Sequence, residues 1–162
     1  MGLFDFLKSK PQQPTYVAPD GYKQFLVDNI FYIQAPDYFE FVESDRFRLK
    51  NTDETKLVSI TNWARDGVTT KMTKEDLKSM ILPLYKKYVE EGGFEPFNDL
   101  ETENDYISQS FKVDDETQYY LTTNNIINGR LIISGIIMRT SLDYSKENRQ
   151  ILKEMQKSIK AK

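Results

Sequence analysis

RLIISGIIMRT, Arg130–Thr140, is the stretch that decides the fold of this chain. Leu131, Ile132, Ile133, Ile136, Ile137 and Met138 place apolar side chains on both alternating sets of positions, with only Ser134 and Gly135 between them. A strand with one wet face alternates apolar and polar residues, whereas a near-continuous apolar run belongs to a strand covered on both faces. The run is too short to cross a bilayer as a helix, which needs about 20 apolar residues. Asn128-Gly129, directly before it, is a strong hairpin signal. The stretch therefore predicts a central strand, entered through a tight turn, with a layer of chain on each side.

The neighbouring sequence extends that strand into a meander. Ile107, Gln109, Phe111 and Val113 alternate with Tyr106, Ser108, Ser110 and Lys112, Asp114–Thr117 reads as a polar turn, and Gln118–Ile127 pairs back. Both connections are too short for a crossover, so the three strands are antiparallel. Downstream, Ser145 caps a helix with an inward face of Ile151, Leu152, Met155 and Ile159, and its closing lysines suit a helix C-terminus.

Upstream, Thr73–Glu91 predicts the clearest helix. Thr73 and Asp76 make a capping box, and Leu77, Met80, Ile81, Leu84, Tyr85 and Tyr88 form one stripe at spacings of three and four. Pro83 lies off the stripe, where a kink turns its back to solvent, and Gly92-Gly93 supplies a left-handed stop. Before it come a strand–turn–strand around Asp28-Asn29, a loop at Ala35–Asp37, two strands within Tyr38–Lys50 separated near Ser44-Asp45, and a strand at Leu57–Trp63. The expected fold is α+β, an antiparallel six- to seven-stranded sheet sandwiched by helices, in the order short α-βββ(β)-α-βββ-α. The domain reading is a short amphipathic helix over 1–10, a Pro-rich linker over 11–21 and a single α+β domain over 22–162.

Composition narrows the chemistry. Among 162 residues there is no cysteine and no histidine, which removes disulfides, the usual zinc ligands and the usual neutral-pH base. The expectation is no enzyme, no metal and no cofactor. A net charge of −3 argues against nucleic acid, and the ten tyrosines and ten phenylalanines are read as core and rim of an aromatic-rich sheet. MGLFDFLKSK is no secretory signal, and Phe6 stands where a myristoylation motif needs Ser or Thr, so a cytoplasmic location without a transmembrane segment is expected.

On FYIQAP (Phe31–Pro36), ITNW (Ile60–Trp63), the long helix closed by Gly92–Phe94, the meander and the terminal helix, the chain resembles the Mog1/PsbP/DcrB superfamily over roughly 22–159. The resemblance implies an antiparallel sheet between helices and a non-enzymatic binding or accessory role. Its members serve different partners, so no partner residue carries over, and this chain lacks the signal peptide or lipid-anchoring Cys of the envelope and lumen members. The order of elements also resembles the secretion-chaperone-like fold, whose members are cytoplasmic dimers holding an unfolded client segment. A run of six or more strands fits that second likeness less well.

The leading expectation is a protein-binding accessory or adaptor module of a bacterial cytoplasmic or envelope-associated system. Its candidate contacts are Leu3, Phe4, Phe6 and Leu7, an apolar cluster set apart by the Pro-rich linker and able to touch a partner or a membrane surface peripherally, together with Tyr38, Phe94 and Phe97. The alternative is a secretion- or toxin-linked chaperone or immunity protein that docks a basic partner on the acidic run Glu90–Asp105, chiefly Asp99, Glu101 and Glu103. Oxygen ligands at 99, 101, 103 and 105 resemble a calcium loop, but the required Gly and closing Glu are missing. A remote alternative is a hydrolase working through carboxylates alone, with Asp66, Asp114, Asp115 or Glu116 as acids.

Overall fold

The computed structural model describes residues 20–141 and 145–162, so the helix expected over 1–10 and all but the last two residues of the linker expected over 11–21 lie outside the described residues. In chain order the elements are β1 (Tyr22–Val27), β2 (Phe31–Pro36), β3 (Phe39–Val42), β4 (Phe47–Asn51), β5 (Lys56–Arg65), α1 (Lys74–Gly92), β6 (Glu95–Pro96) and β7 (Glu101–Thr102). They continue with β8 (Tyr106–Val113), β9 (Glu116–Ile127), β10 (Arg130–Ser141), α2 (Lys146–Lys157) and β11 (Lys160–Ala161).

β10 carries RLIISGIIMRT and lies between β5 and β9, antiparallel to both. Leu131, Ile132, Ile133, Ile136 and Met138 are buried on both faces, as the unbroken apolar run requires. The turn before it has Asn128 at φ 50° and Gly129 at φ 74°, the left-handed pair that matches strand twist in a two-residue hairpin. Around this pair runs an eight-stranded sheet in the order β3-β4-β5-β10-β9-β8-β6, with β7 also paired to β8.

The expected single sheet of six or seven strands is therefore corrected to eight plus three. β1 and β2 form a hairpin through Asp28 and Asn29, both at positive φ, and together with β11 make a separate small sheet. The C-terminal helix stops at Lys157 rather than running on through Ile159. After it, Lys160 and Ala161 pair with Tyr32 and Phe31, and the Ser158 hydroxyl accepts from the Gln34 amide at 2.8 Å. Backbone bonding offered by the edge of β2 ends the helix there.

Two layers flank the large sheet. On one face, Val27, Phe31 and Ile33 of the small sheet and Ile151, Leu152 and Met155 of α2 close over Val58, Ile60, Tyr119, Leu121, Ile132, Ile136 and Met138. On the other, Leu77, Ile81 and Tyr85 of α1 close over Ile107 and Phe111. Tyr85 meets Phe111 edge-on at 5.3 Å, and Tyr88 stacks on Phe94 at 5.0 Å. The Thr73–Asp76 capping box forms in full and Gly93 ends α1 at φ 69°. Pro83 faces solvent, as expected, but the stripe is narrower than its spacing implies, because Leu84 is 40% exposed.

That difference between stripe and contact is measurable. Leu152→Ala, at a fully buried site, is expected to cost about 2–5 kcal/mol in urea unfolding, whereas Leu84→Ala costs under about 1 kcal/mol.

Candidate functional site: the uncovered half of the sheet

Opposite residues in an antiparallel pair share a face, so the register fixes what lines the α1 side of the sheet. One row crosses it as Val42, Arg48, Ser59, Ile137, Tyr120 and Gln109. Leu57, Thr61 and Trp63 lie on the same face of β5. α1 stands over β8 and β9 only. Its Leu82, Lys86 and Val89 border an open cleft of about 690 Å³ with Gln109 and Phe111 of β8. Met80 and Leu84 lie on the opposite flank of the helix, and Tyr88 meets Tyr120 of β9 at 5.6 Å and Phe94 at 5.0 Å. The loop after β5 closes one end: Val68 accepts from the Leu131 amide at 3.1 Å, and the Met72 amide donates to the Asn124 side chain at 2.8 Å.

Among the described residues nothing covers the remainder of this face, above β4, β5 and the second half of β10. Val42, Leu57, Ser59, Thr61 and Ile137 are half-buried there, and Trp63, the chain's one tryptophan, is 52% exposed. Its indole lies across Gly135, where a methyl group would meet the ring at 3.5 Å. Arg48 adds a cation with no ion pair among the described residues, and Arg139 is bound to Glu116 at 2.7 and 2.9 Å. The result is a trough with an aromatic floor, one helical wall and one unpaired cation. The sequence offered a signal for it: ITNW ends a strand whose second face reads Leu57, Ser59, Thr61, Trp63, too apolar for plain solvent exposure. The same alternation also suits an ordinary strand, and Trp63 is not among the contacts expected from sequence.

The expected contacts themselves are dispersed. Leu3, Phe4, Phe6 and Leu7 lie outside the described residues. Tyr38 is 38% exposed at the β3 edge, with Lys56 5.8 Å over its ring, and burial is the main cause that pushes its hydroxyl pKa upward. Phe97 is 45% exposed beside β6 at the opposite edge, roughly 29 Å away at six strand spacings. Phe94 is half-buried within the Tyr85, Tyr88, Phe111 and Tyr120 aromatic cluster.

Two acids of the run, Glu101 and Asp105, are paired with cations from elsewhere in the chain. Glu101 sits against α2, with Arg149 at 2.7 Å, Lys153 at 2.6 Å and the Tyr106 hydroxyl donating at 2.8 Å. Asp105 pairs with Lys71 at 3.0 Å, while Glu90 and Glu91 pair loosely with Lys86 and Lys87. Asp99 and Glu103 are exposed. No group of three or more acidic side chains among the described residues is placed to hold a metal ion.

The candidate catalytic acids are also engaged or solvated. Asp66 pairs with Arg130 at 2.7 Å, and Asp114 and Asp115 are exposed around a hairpin turn. Hydrogen bonding from Arg139 holds the Glu116 carboxyl below its ordinary range, opposite to the raised value a general acid uses.

At Glu101, burial pushes the carboxyl up, but the bonds from Lys153 and Tyr106 and the charges of Arg149 and Lys153 outweigh it, and the net direction is down. A carboxylate lowered in the folded state contributes stability above its unfolded value of roughly 4.3, lost as pH falls through the folded value. Glu101→Gln is therefore expected to cost about 1–3 kcal/mol at pH 7, with the gap between variant and wild type closing toward pH 3. Urea midpoints across that range read it directly.

No family model and no curated protein matches the chain. A solved crystal structure of a protein from Bacteroides thetaiotaomicron VPI-5482 is similar in fold, with a TM-score of 0.53 and 14% identity, covering 88% of this chain and 49% of that one. The chain thus spans about half the length of the structure it matches, and the likeness concerns the fold alone.

Proposed function

We propose that this protein is a non-enzymatic accessory module that binds another protein, and that the partner docks on the uncovered half of the sheet around Trp63. The half-exposed indole, with the edge of its ring against Gly135 and with Ile137 two residues further along β10, carries this reading. Large rigid aromatics at the centre of an apolar patch are the usual anchors of protein interfaces, and Arg48 at the margin favours a partner with an acidic group beside its apolar contact. The alternative, a basic client held by the acidic run, has less support because Arg149, Lys153 and Lys71 already occupy Glu101 and Asp105.

Affinity capture from a lysate of the source cell, with identification of the retained protein and titration of the purified pair, tests the proposal. Trp63→Ala is expected to weaken that pair about 30-fold or more, and Phe97→Asp, at the far edge, to leave it unchanged. A partner held equally by wild type and Trp63→Ala, or no specific partner at all, overturns it.

A further inference from the structure

A segment that docks on the face of a sheet, unlike one that joins its edge, finds no main-chain partners there. β4, β5 and β10 are each paired on both sides, so their N–H and C=O groups are spent on one another. A segment lying on this face must satisfy its own backbone, which an extended chain cannot do and a helix does. The space agrees. β10, β5 and β4 span about 10 Å at their spacing, against about 10–12 Å for a helix with its side chains. Along β5, Leu57 and Trp63 are six residues apart, about 20 Å, which is the length of roughly 13 helical residues.

We infer that the partner element for this face is an acidic amphipathic helix of another protein, laid along β5 beside α1. The inference rests on the docking reading and adds the chemistry of what docks. The helix presents an apolar stripe to Trp63 and Ile137 and, at its far end, to Leu57. Its charge follows from two arginines. Arg65 lies two residues beyond Trp63 on the same face of β5, and Arg48 stands opposite Ser59, four residues before it. Neither makes an ion pair among the described residues. The other charges of this face are matched within the chain. Lys50 holds Glu54 and stands opposite Glu40, and Arg139 holds Glu116. Asp76, which shares a groove with Arg65, is taken up in the capping box of α1. On a chain of net charge −3, the uncovered face thus keeps two spare cations about 20 Å apart along β5. Acidic side chains at the two ends of a helix of about four turns complement them, and basic ones are repelled.

A phage-displayed library of random 16-residue peptides, selected on the full chain and counter-selected on Trp63→Ala, supplies probes without a known partner. Recovered peptides free of tryptophan are synthesised and titrated against the full chain, with the emission of Trp63, the chain's one tryptophan, as the readout. The expected peptides carry apolar residues at helical spacing with Asp or Glu toward both ends, gain helicity on binding, and bind more weakly as salt rises. Arg48→Glu and Arg65→Glu are each expected to weaken them about threefold or more. Arg48→Lys and Arg65→Lys should hold them, and Lys86→Glu, on the other flank of α1, should leave them unchanged. Trp63-dependent peptides that lack acidic residues, gain no helicity or ignore both charge reversals overturn the inference and leave the docking reading standing. A selection that yields nothing sensitive to Trp63→Ala removes both.

Discussion

The architecture depends on the need to cover β10 twice. A strand whose successive residues are Leu, Ile and Ile has no solvent face to offer, and each side exposed to water forfeits about 25 cal/mol per Å² of apolar area. Its two neighbours, β5 and β9, satisfy the backbone, but only layers above and below satisfy the side chains. Ile132, Ile136 and Met138 commit one face to α2 and the small sheet; Leu131 and Ile133 commit the other to Trp63 and the loop that leads into α1. Because β10 sits mid-sheet, these two demands set the whole sandwich, including which side of the sheet each helix must reach.

The two covers are unequal. The α2 side is sealed by a helix, three short strands and a buried polar set, including Asn148 and Gln156, directed at Tyr119 and Thr123. The α1 side is sealed over β8 and β9 by an aromatic cluster and then ends, part-way across the sheet. The β10 sequence registers this boundary. On the α1 face its residues run Leu131, Ile133, Gly135, Ile137 and Arg139, buried at the start and exposed at the end. Gly135 is the midpoint of that gradient, where the edge of the Trp63 indole comes to rest over a position without a side chain.

Much of this was readable wherever the determinants are local. The capping box at Thr73, the stop at Gly93, the β8–β10 meander and the two faces of β5 follow from spacing and turn chemistry within a few residues. What escaped depends on contacts far apart in sequence. β11 forms because the edge of β2 offers hydrogen bonds to residues beyond 157, and two residues carry no strand signal of their own. The acidic run reads as free to dock a basic partner because the counter-charges of Glu101, Arg149 and Lys153, sit on a helix more than forty residues later. Exposure was the hardest property to read. Trp63 and Leu84 lie on apolar stripes, and a stripe records which way a side chain points without recording whether anything stands opposite.

That last distinction decides where function is sought. Tyr38, Phe94 and Phe97 are aromatic and near chain turns, but the structure puts the first and last at opposite edges and folds Phe94 into the α1 cluster. An interface needs neighbouring anchors that share one desolvated patch, because binding energy concentrates at the centre of a surface from which water is excluded. Among the described residues, the α1 face of β5 and β10 sets the exposed Trp63 beside Gly135, with the half-buried Ile137 next along the strand. The same two-sided β10 that fixes the sandwich therefore also fixes its vacancy: the strand demands cover along its full length, and α1 supplies it over half the sheet.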